Sequence, residues 1–313
     1  MQTPVNPYAS KKASELLNYL SDIAGHKIIT GQHTQTNPME EISYIQSVTG
    51  KQPKLRGFEL LSYSPNINYD DADEACLTEV YENRGTVDTA LKWAKESGGI
   101  VTLSFHWFSP IGGRDKSFYA KNTNFDASRV LMENTPERKA FFHDMDVIAK
   151  QLKRFQSADI PVIWRPFHES DGDWFWWGAK GPETARELYK LMFEYYINVH
   201  QLNNLLWVWN CRLKEGYPGD EYVDIISADI YLSEYSATDY HEEYYSLIKE
   251  TTKNKVAALA EVGYIPYIRF LEKSHIPWAY YMTWSKEFCI GKQYNRIENV
   301  KKMYESDYAI TLN

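Results

Sequence analysis

Two glutamates carry the chemistry this sequence is best equipped for. Glu169 lies in "WRPFHESDGDWFWWGAKGP", Trp164 to Pro182, which holds four tryptophans, two phenylalanines and a His-Glu pair in nineteen residues. An apolar, ring-lined surrounding favours the neutral carboxylic acid and suits Glu169 to donate a proton. Glu261, in "ALAEVGY", is the second carboxyl group. The two are 261 − 169 = 92 residues apart, so they act together only if the fold brings them to one place. Held roughly 5 to 5.5 Å apart across a glycosidic bond, such a pair performs glycoside hydrolysis with retention, one carboxylate attacking the anomeric carbon and one acid protonating the leaving oxygen. Tyr231 or Arg165 would hold Glu261 as the carboxylate by hydrogen bonding.

The elements that must position them are short apolar runs separated by amphipathic stretches. In order they are "HKIITGQ" from His26, "KLRGFELL" from Lys54, "GIVTLSFHW" from Gly99, "IPVIWRPFHE" from Ile160, "LLWVWNC" from Leu205, "DIISADIY" from Asp224, "VAALAEVG" from Val256 and "PWAYYMTW" from Pro277. Several are continuous rather than alternating, as parallel strands covered on both faces require. Each is read as followed by a helix. The clearest helices start at Pro136 and Pro182, each with proline in the first turn and acids close behind. Val147, Ile148, Leu152 and Phe155 share one face of the first, and Leu188, Leu191, Met192 and Tyr195 one face of the second. An earlier helix, "KKASELLNYLSDIAG", precedes the first strand and is placed to close the bottom. Eight strand-helix units with no linker predict a single α/β domain over residues 1–313, a (β/α)8 TIM barrel.

In such a barrel the site lies at the C-terminal strand ends. Those ends carry Gln32 and His33, Glu59, His106 and Trp107, Arg165 with His168 and Glu169, Asn210, Asp229 and Tyr231, Glu261, and Trp284. Unpaired charges are poor core material, so these residues converge on a cleft. Glu169 on strand four and Glu261 on strand seven then face each other across the mouth. Of the adjacent rings Trp174 to Trp177, some must form the loop's own core. Trp174 and Trp177 are expected to face the sugar.

Other chemistries fit less well. Gly172 occupies the fourth position after His168, so "HE" is not the zinc motif HExxH. His33, His106 and His168 lack an HxH pair or a ligand-spaced acid, and no metal is expected. Three cysteines, odd in number and far apart, argue against a disulfide framework. The net charge of −8 (34 Lys and Arg against 42 Asp and Glu), without a basic run, excludes nucleic acid as an expected partner. No run approaches about 18 apolar residues, so membrane insertion is not expected either. The 15% aromatic content, with 24 Tyr and 10 Trp, suits stacking on pyranose faces.

The segments "VIWRPFHESDGDWFWWGAKGP", "NNLLWVWN", "SADIY", "ALAEVG" and "YYMTWS", with "GKQPKLRGFELL" and "VTLSFHW", resemble the glycoside hydrolase family 26 β-mannanases over nearly the whole chain. The resemblance implies a retaining endo-β-1,4-mannanase without a cofactor, acting as a monomer on mannan, glucomannan or galactomannan. It implies that Glu169 is the acid/base and Glu261 the nucleophile. His106, His168, Trp174, Asp229, Tyr231 and Trp284 would bound the reacting subsite, with Tyr231 on the nucleophile and Trp284 under the sugar. Arg165, Trp107 and Trp177 complete the expected substrate-binding set. Some members carry Arg directly after the last tryptophan, but Ser285 stands here. Another β-glycan, such as β-1,3-xylan or mixed-linkage β-glucan, or a barrel that binds sugar without cleaving it, is the alternative. A polymeric substrate implies a secreted or surface-attached enzyme, although "MQTPVNPYAS" is not a signal peptide.

Overall fold

The structure, a computed structural model, describes residues 2–313. In chain order its strands are Ile28–Ile29 (β1), Gly31–His33 (β2), Gln52–Pro53 (β3), Leu55–Glu59 (β4), Ile100–Ser104 (β5), Val162–Arg165 (β6), Leu205–Trp209 (β7), Ile225–Ile230 (β8), Val256–Val262 (β9), Trp278–Thr283 (β10) and Ala309–Leu312 (β11). Strands β2 and β4 to β10 pair in parallel in that order, and β10 returns to β2 through Thr283 and Gln32. This closes an eight-stranded barrel, so the expected (β/α)8 fold is the observed one. Each of the eight apolar runs supplies one stave.

The helices are Lys11–Ile23 (α1), Glu40–Thr49 (α2), Glu74–Glu82 (α3), Thr86–Ser97 (α4), Pro136–Ser157 (α5), Pro182–Asn198 (α6), His241–Glu250 (α7), Ile268–Ser274 (α8) and Ile297–Glu305 (α9). One expectation fails between β7 and β8. That connection has only a 3-10 turn at Lys214–Gly216, because Gly216, Pro218 and Gly219 break any helical run. Helices α5 and α6 start where their prolines predicted, and the Thr135 hydroxyl caps α5 at the Arg138 N–H. Their buried faces are rotated from the expected ones. Met145 and Ala149 lie inward in α5, and Tyr189, Phe193 and Tyr196 in α6, while Val147, Leu191 and Tyr195 are half-buried.

The lumen changes from apolar to charged along its axis. At the bottom, Ile29, Leu55, Ile100, Ile163, Leu206, Ile225 and Val256 pack together. Ala13, Leu17 and Leu20 of α1 seal this cluster from below, as the position of that helix in the chain suggested. Side chains two apart on a strand share a face, so Ile163 is succeeded inward by Arg165, and Ile225 by Ser227 and Asp229. On β9 the same count would turn Glu261 outward, since Val256 and Ala258 already face in. A register shift corrects this: Ala228 pairs with Leu259, but Asp229 pairs with Glu261, leaving Ala260 as the extra residue. The bulge re-aims Glu261 into the lumen.

Beneath the barrel, β1 pairs with β11, and β11 pairs antiparallel with β3 through Thr311 and Pro53. This small strap was not expected from the sequence. Among the described residues, no helix is long and apolar enough to cross a membrane.

Candidate active site

Glu169 follows β6 in a turn where Phe167 and Glu169 both adopt left-handed backbone (φ 51° and 54°). Such a conformation costs a side-chain-bearing residue about 1–2 kcal/mol and is kept only where neighbours enforce it. The Glu169 N–H donates to Asn210 Oδ1 at 2.7 Å, and Gly172 N–H donates back to the Glu169 carbonyl at 3.1 Å. Gly172 has to be glycine because the Trp174 ring lies over it, 2.0 Å from where a Cβ would stand. Trp174 in turn donates its indole N–H to Glu169 Oε2 at 2.8 Å.

Glu261 receives Tyr231 OH at 2.5 Å on one oxygen and Arg165 Nη2 at 2.7 Å on the other. The same guanidinium reaches Asp229 through Nη1 at 2.5 Å, and Arg165 is almost wholly buried. One oxygen each of Glu169, Asp229 and Glu261 lies within 4.8 Å of the others. Among the described residues this trio alone has metal-ligand spacing, and Arg165 already supplies its counter-charge.

The electrostatics separate the two glutamates. Burial and, after it, the Glu261 charge push the Glu169 carboxyl up to about 7, so it holds a proton near neutrality. Glu261, by contrast, has one donor on each carboxylate oxygen, the Tyr231 hydroxyl and the Arg165 guanidinium. Burial also pushes Asp229 up, against the pull of Arg165 and Asn210.

Three histidines line the opposite side. Glu59, at the end of β4, accepts from Leu61 N, Ser104 Oγ and His106 N, and from His106 Nδ1 at 2.7 Å. Burial disfavours a charged His106, but Glu59 overrides it and holds the imidazole above its usual value. His106 Nε2 lies 3.2 Å from His168 Nε2, so one proton is shared between them. Burial and the charges of Arg165 and His106 push His168 well below its usual value, so it stays neutral. His33, pushed down to about 3 mainly by burial, stacks on Trp284 at 3.9 Å. The importance of Glu59 lay in a signal already visible, an acid at a strand end, but its four hydrogen bonds were not.

The structure brings Glu169, Glu261, Arg165, His106, His168, Asp229, Tyr231, Trp174 and Trp284 to one cleft, and it corrects two expected contacts. Trp177 is fully buried, stacked on Phe175 at 4.5 Å with its N–H on the His168 carbonyl. It supports the loop from below and offers no face to a sugar. Trp107 is likewise buried, its N–H on Asp144 Oδ2 at 2.8 Å. Trp174 is 46% exposed and Tyr231 42%, and both border the cleft. Two hollows open at this end of the barrel. One, about 260 Å³, is lined by Trp284, His106 and Tyr119, and the other, about 200 Å³, by Glu169, Trp174, Asn210 and Arg212. A hollow of about 410 Å³ between Ile111 and Glu137 contains none of these residues.

Comparison with known proteins places the chain in a family. A mannan endo-1,4-beta-mannosidase of Thermothelomyces thermophilus is 37% identical over 98% of this chain and 62% of its own length. Mannan endo-1,4-beta-mannosidase B of Piromyces is 31% identical over 96% of this chain and 52% of its own. The chain therefore spans between half and two thirds of these curated relatives. Among solved structures, a Podospora anserina GH26-CBM35 beta-(1,4)-mannanase is 35% identical with a TM-score of 0.87, covering 99% of this chain and 68% of that one. A beta-mannanase from a symbiotic protist of the termite Reticulitermes speratus, complexed with gluco-manno-oligosaccharide, is 31% identical with a TM-score of 0.85, covering 99% and 96%. The family model described as glycosyl hydrolase family 26 matches residues 5–313, and the chain belongs to that family.

Proposed function

We propose that this chain is the catalytic domain of a retaining endo-β-1,4-mannanase, with Glu169 as acid/base and Glu261 as nucleophile. The observation that carries the reading is the pair of carboxyl oxygens within 4.8 Å in contrasting surroundings, the proton-holding Glu169 against Glu261 bound by Arg165 and Tyr231. That spacing suits direct attack on the anomeric carbon and leaves no room for a water between nucleophile and sugar. The preference for mannan is supported by the relatives, which are named mannan endo-1,4-beta-mannosidases.

A polymer would lie across the hollows beside Trp284 and Trp174, with the scissile bond above Glu169. The Glu169 proton passes to the glycosidic oxygen as Glu261 attacks, and the aglycone leaves. Esterified Glu261 no longer carries charge, and Glu169, now a carboxylate, takes a proton from the water that releases the sugar. Trp284 would floor the reacting ring, and His106 and Asp229 would bind its hydroxyls, with neutral His168 holding His106 in place from behind. Trp174 would border the departing side. A polymeric substrate places this work outside the membrane.

The test is proton NMR of the first anomer released from mannan. The β-anomer supports the reading, and the α-anomer refutes it. Full hydrolysis by Glu261→Ala would also refute it. Reducing-end assays on mannan, glucomannan, β-1,3-xylan and mixed-linkage β-glucan decide the sugar.

A further inference from the structure

Asn210 stands just past the end of β7, uncharged and 2% exposed. Its amide has one workable orientation. Oδ1 must accept because the group facing it is the Glu169 N–H at 2.7 Å. Nδ2 then donates to Asp229 Oδ1 at 2.8 Å and Ser227 Oγ at 3.0 Å. Among the described residues, no other acceptor receives that N–H of Glu169. The residue held this way is one of two in left-handed backbone on this turn, so the tether acts on a conformation that would otherwise relax. On its other side the amide touches Asp229, which shares the Arg165 guanidinium with Glu261.

We propose that Asn210 is a positioning residue that aims Glu169 as proton donor, through the Oδ1 tether, and separately braces the Asp229–Arg165–Glu261 chain through Nδ2. The inference rests on the assignment of Glu169 as general acid. A misaimed acid matters only where the leaving group needs a proton. Manno-oligosaccharide departs as an alkoxide unless protonated, whereas dinitrophenolate leaves unaided. General acid assistance is worth about 10²–10⁴-fold, so its loss is selective.

The experiment compares kcat/KM on mannohexaose with that on dinitrophenyl β-mannobioside for wild type, Asn210→Ala, Asn210→Asp and Glu169→Ala. Asn210→Ala is expected to lose about 100-fold on mannohexaose and less than about tenfold on the activated substrate. Asn210→Asp keeps an acceptor for Glu169 but loses the donor to Asp229, so both substrates should fall by the same factor. Equal losses in Asn210→Ala, or none, overturn the proposal, because a merely structural role lowers both alike. If Asn210→Ala does not fold, Asn210→Ser, too short to reach the Glu169 N–H, carries the same comparison. If Glu169→Ala itself loses both substrates equally, the acid assignment fails and this inference fails with it. If Glu169→Ala is selective and Asn210→Ala is not, only the inference fails.

Discussion

The proximity of Glu169 and Glu261 makes a quantitative prediction about Glu261→Gln. That substitution keeps the shape and removes the charge. The second cause lifting Glu169 to about 7 is the Glu261 charge, so its removal must lower Glu169. Taking the 4.8 Å within which their oxygens lie as the separation and an effective dielectric of about 20, the repulsion is about 332/(20 × 4.8) ≈ 3.5 kcal/mol, or about 2.5 pKa units. Glu169 is only half-buried, so water in the cleft screens part of that repulsion. About half the full value is therefore expected, a fall of roughly 1 to 1.5 units, which puts Glu169 between about 5.5 and 6. Burial, the larger cause, is unchanged by the substitution and keeps Glu169 above an ordinary glutamate. Carbon NMR titration of carboxyl-labelled glutamate in the two proteins measures the shift. A Glu169 that titrates at the same pH in both, or higher in Glu261→Gln, refutes the electrostatic coupling. Esterification of Glu261 during turnover removes the same charge. The measured fall would thus report how far the acid is converted into a base midway through the reaction.

The corrected tryptophans separate stability from binding. Trp177→Ala should cost about 3–5 kcal/mol by cavity formation and lower Tm, whereas Trp174→Ala should leave Tm nearly unchanged and raise KM, the reverse pattern refuting the assignment. Asp144, which accepts from Trp107 and Asn66, is pushed up to about 6 chiefly by burial, so the folded state binds its proton more tightly than the unfolded chain. Its contribution to stability is then greatest below about pH 4 and is lost as pH rises through about 6, and Asp144→Asn should lose less Tm than wild type between those values. An equal or steeper decline in the variant refutes this.

The barrel was legible because a parallel stave covered on both faces must be apolar along its length, and eight such runs stand out. Ile100–Ser104 and Leu205–Trp209 are buried at every position. The strap of β11 and β3 escaped because it is two to four residues long and joins segments some 260 positions apart, with no local pattern to mark it. The catalytic glutamate candidates were legible as acids ending apolar strands. The bulge that turns Glu261 inward was not, since Ala260 looks like any other strand residue. Trp174 and Trp177 differ by only three positions in a loop without a repeating period, so composition does not tell which ring faces out. What decides it is the packing of Trp177 against Phe175 and under His168, a contact set by the folded loop.

The outward turn of Trp174 has an optical consequence. Of ten tryptophans, seven are buried, Trp93 and Trp284 are half-buried, and Trp174 alone is exposed. A neutral collisional quencher such as acrylamide would therefore reach chiefly one fluorophore, and it sits within hydrogen-bond distance of Glu169. Saccharide occupying that side of the cleft would shield it. The emission of the unlabelled protein thus reports cleft occupancy directly, without a chromogenic substrate or any turnover.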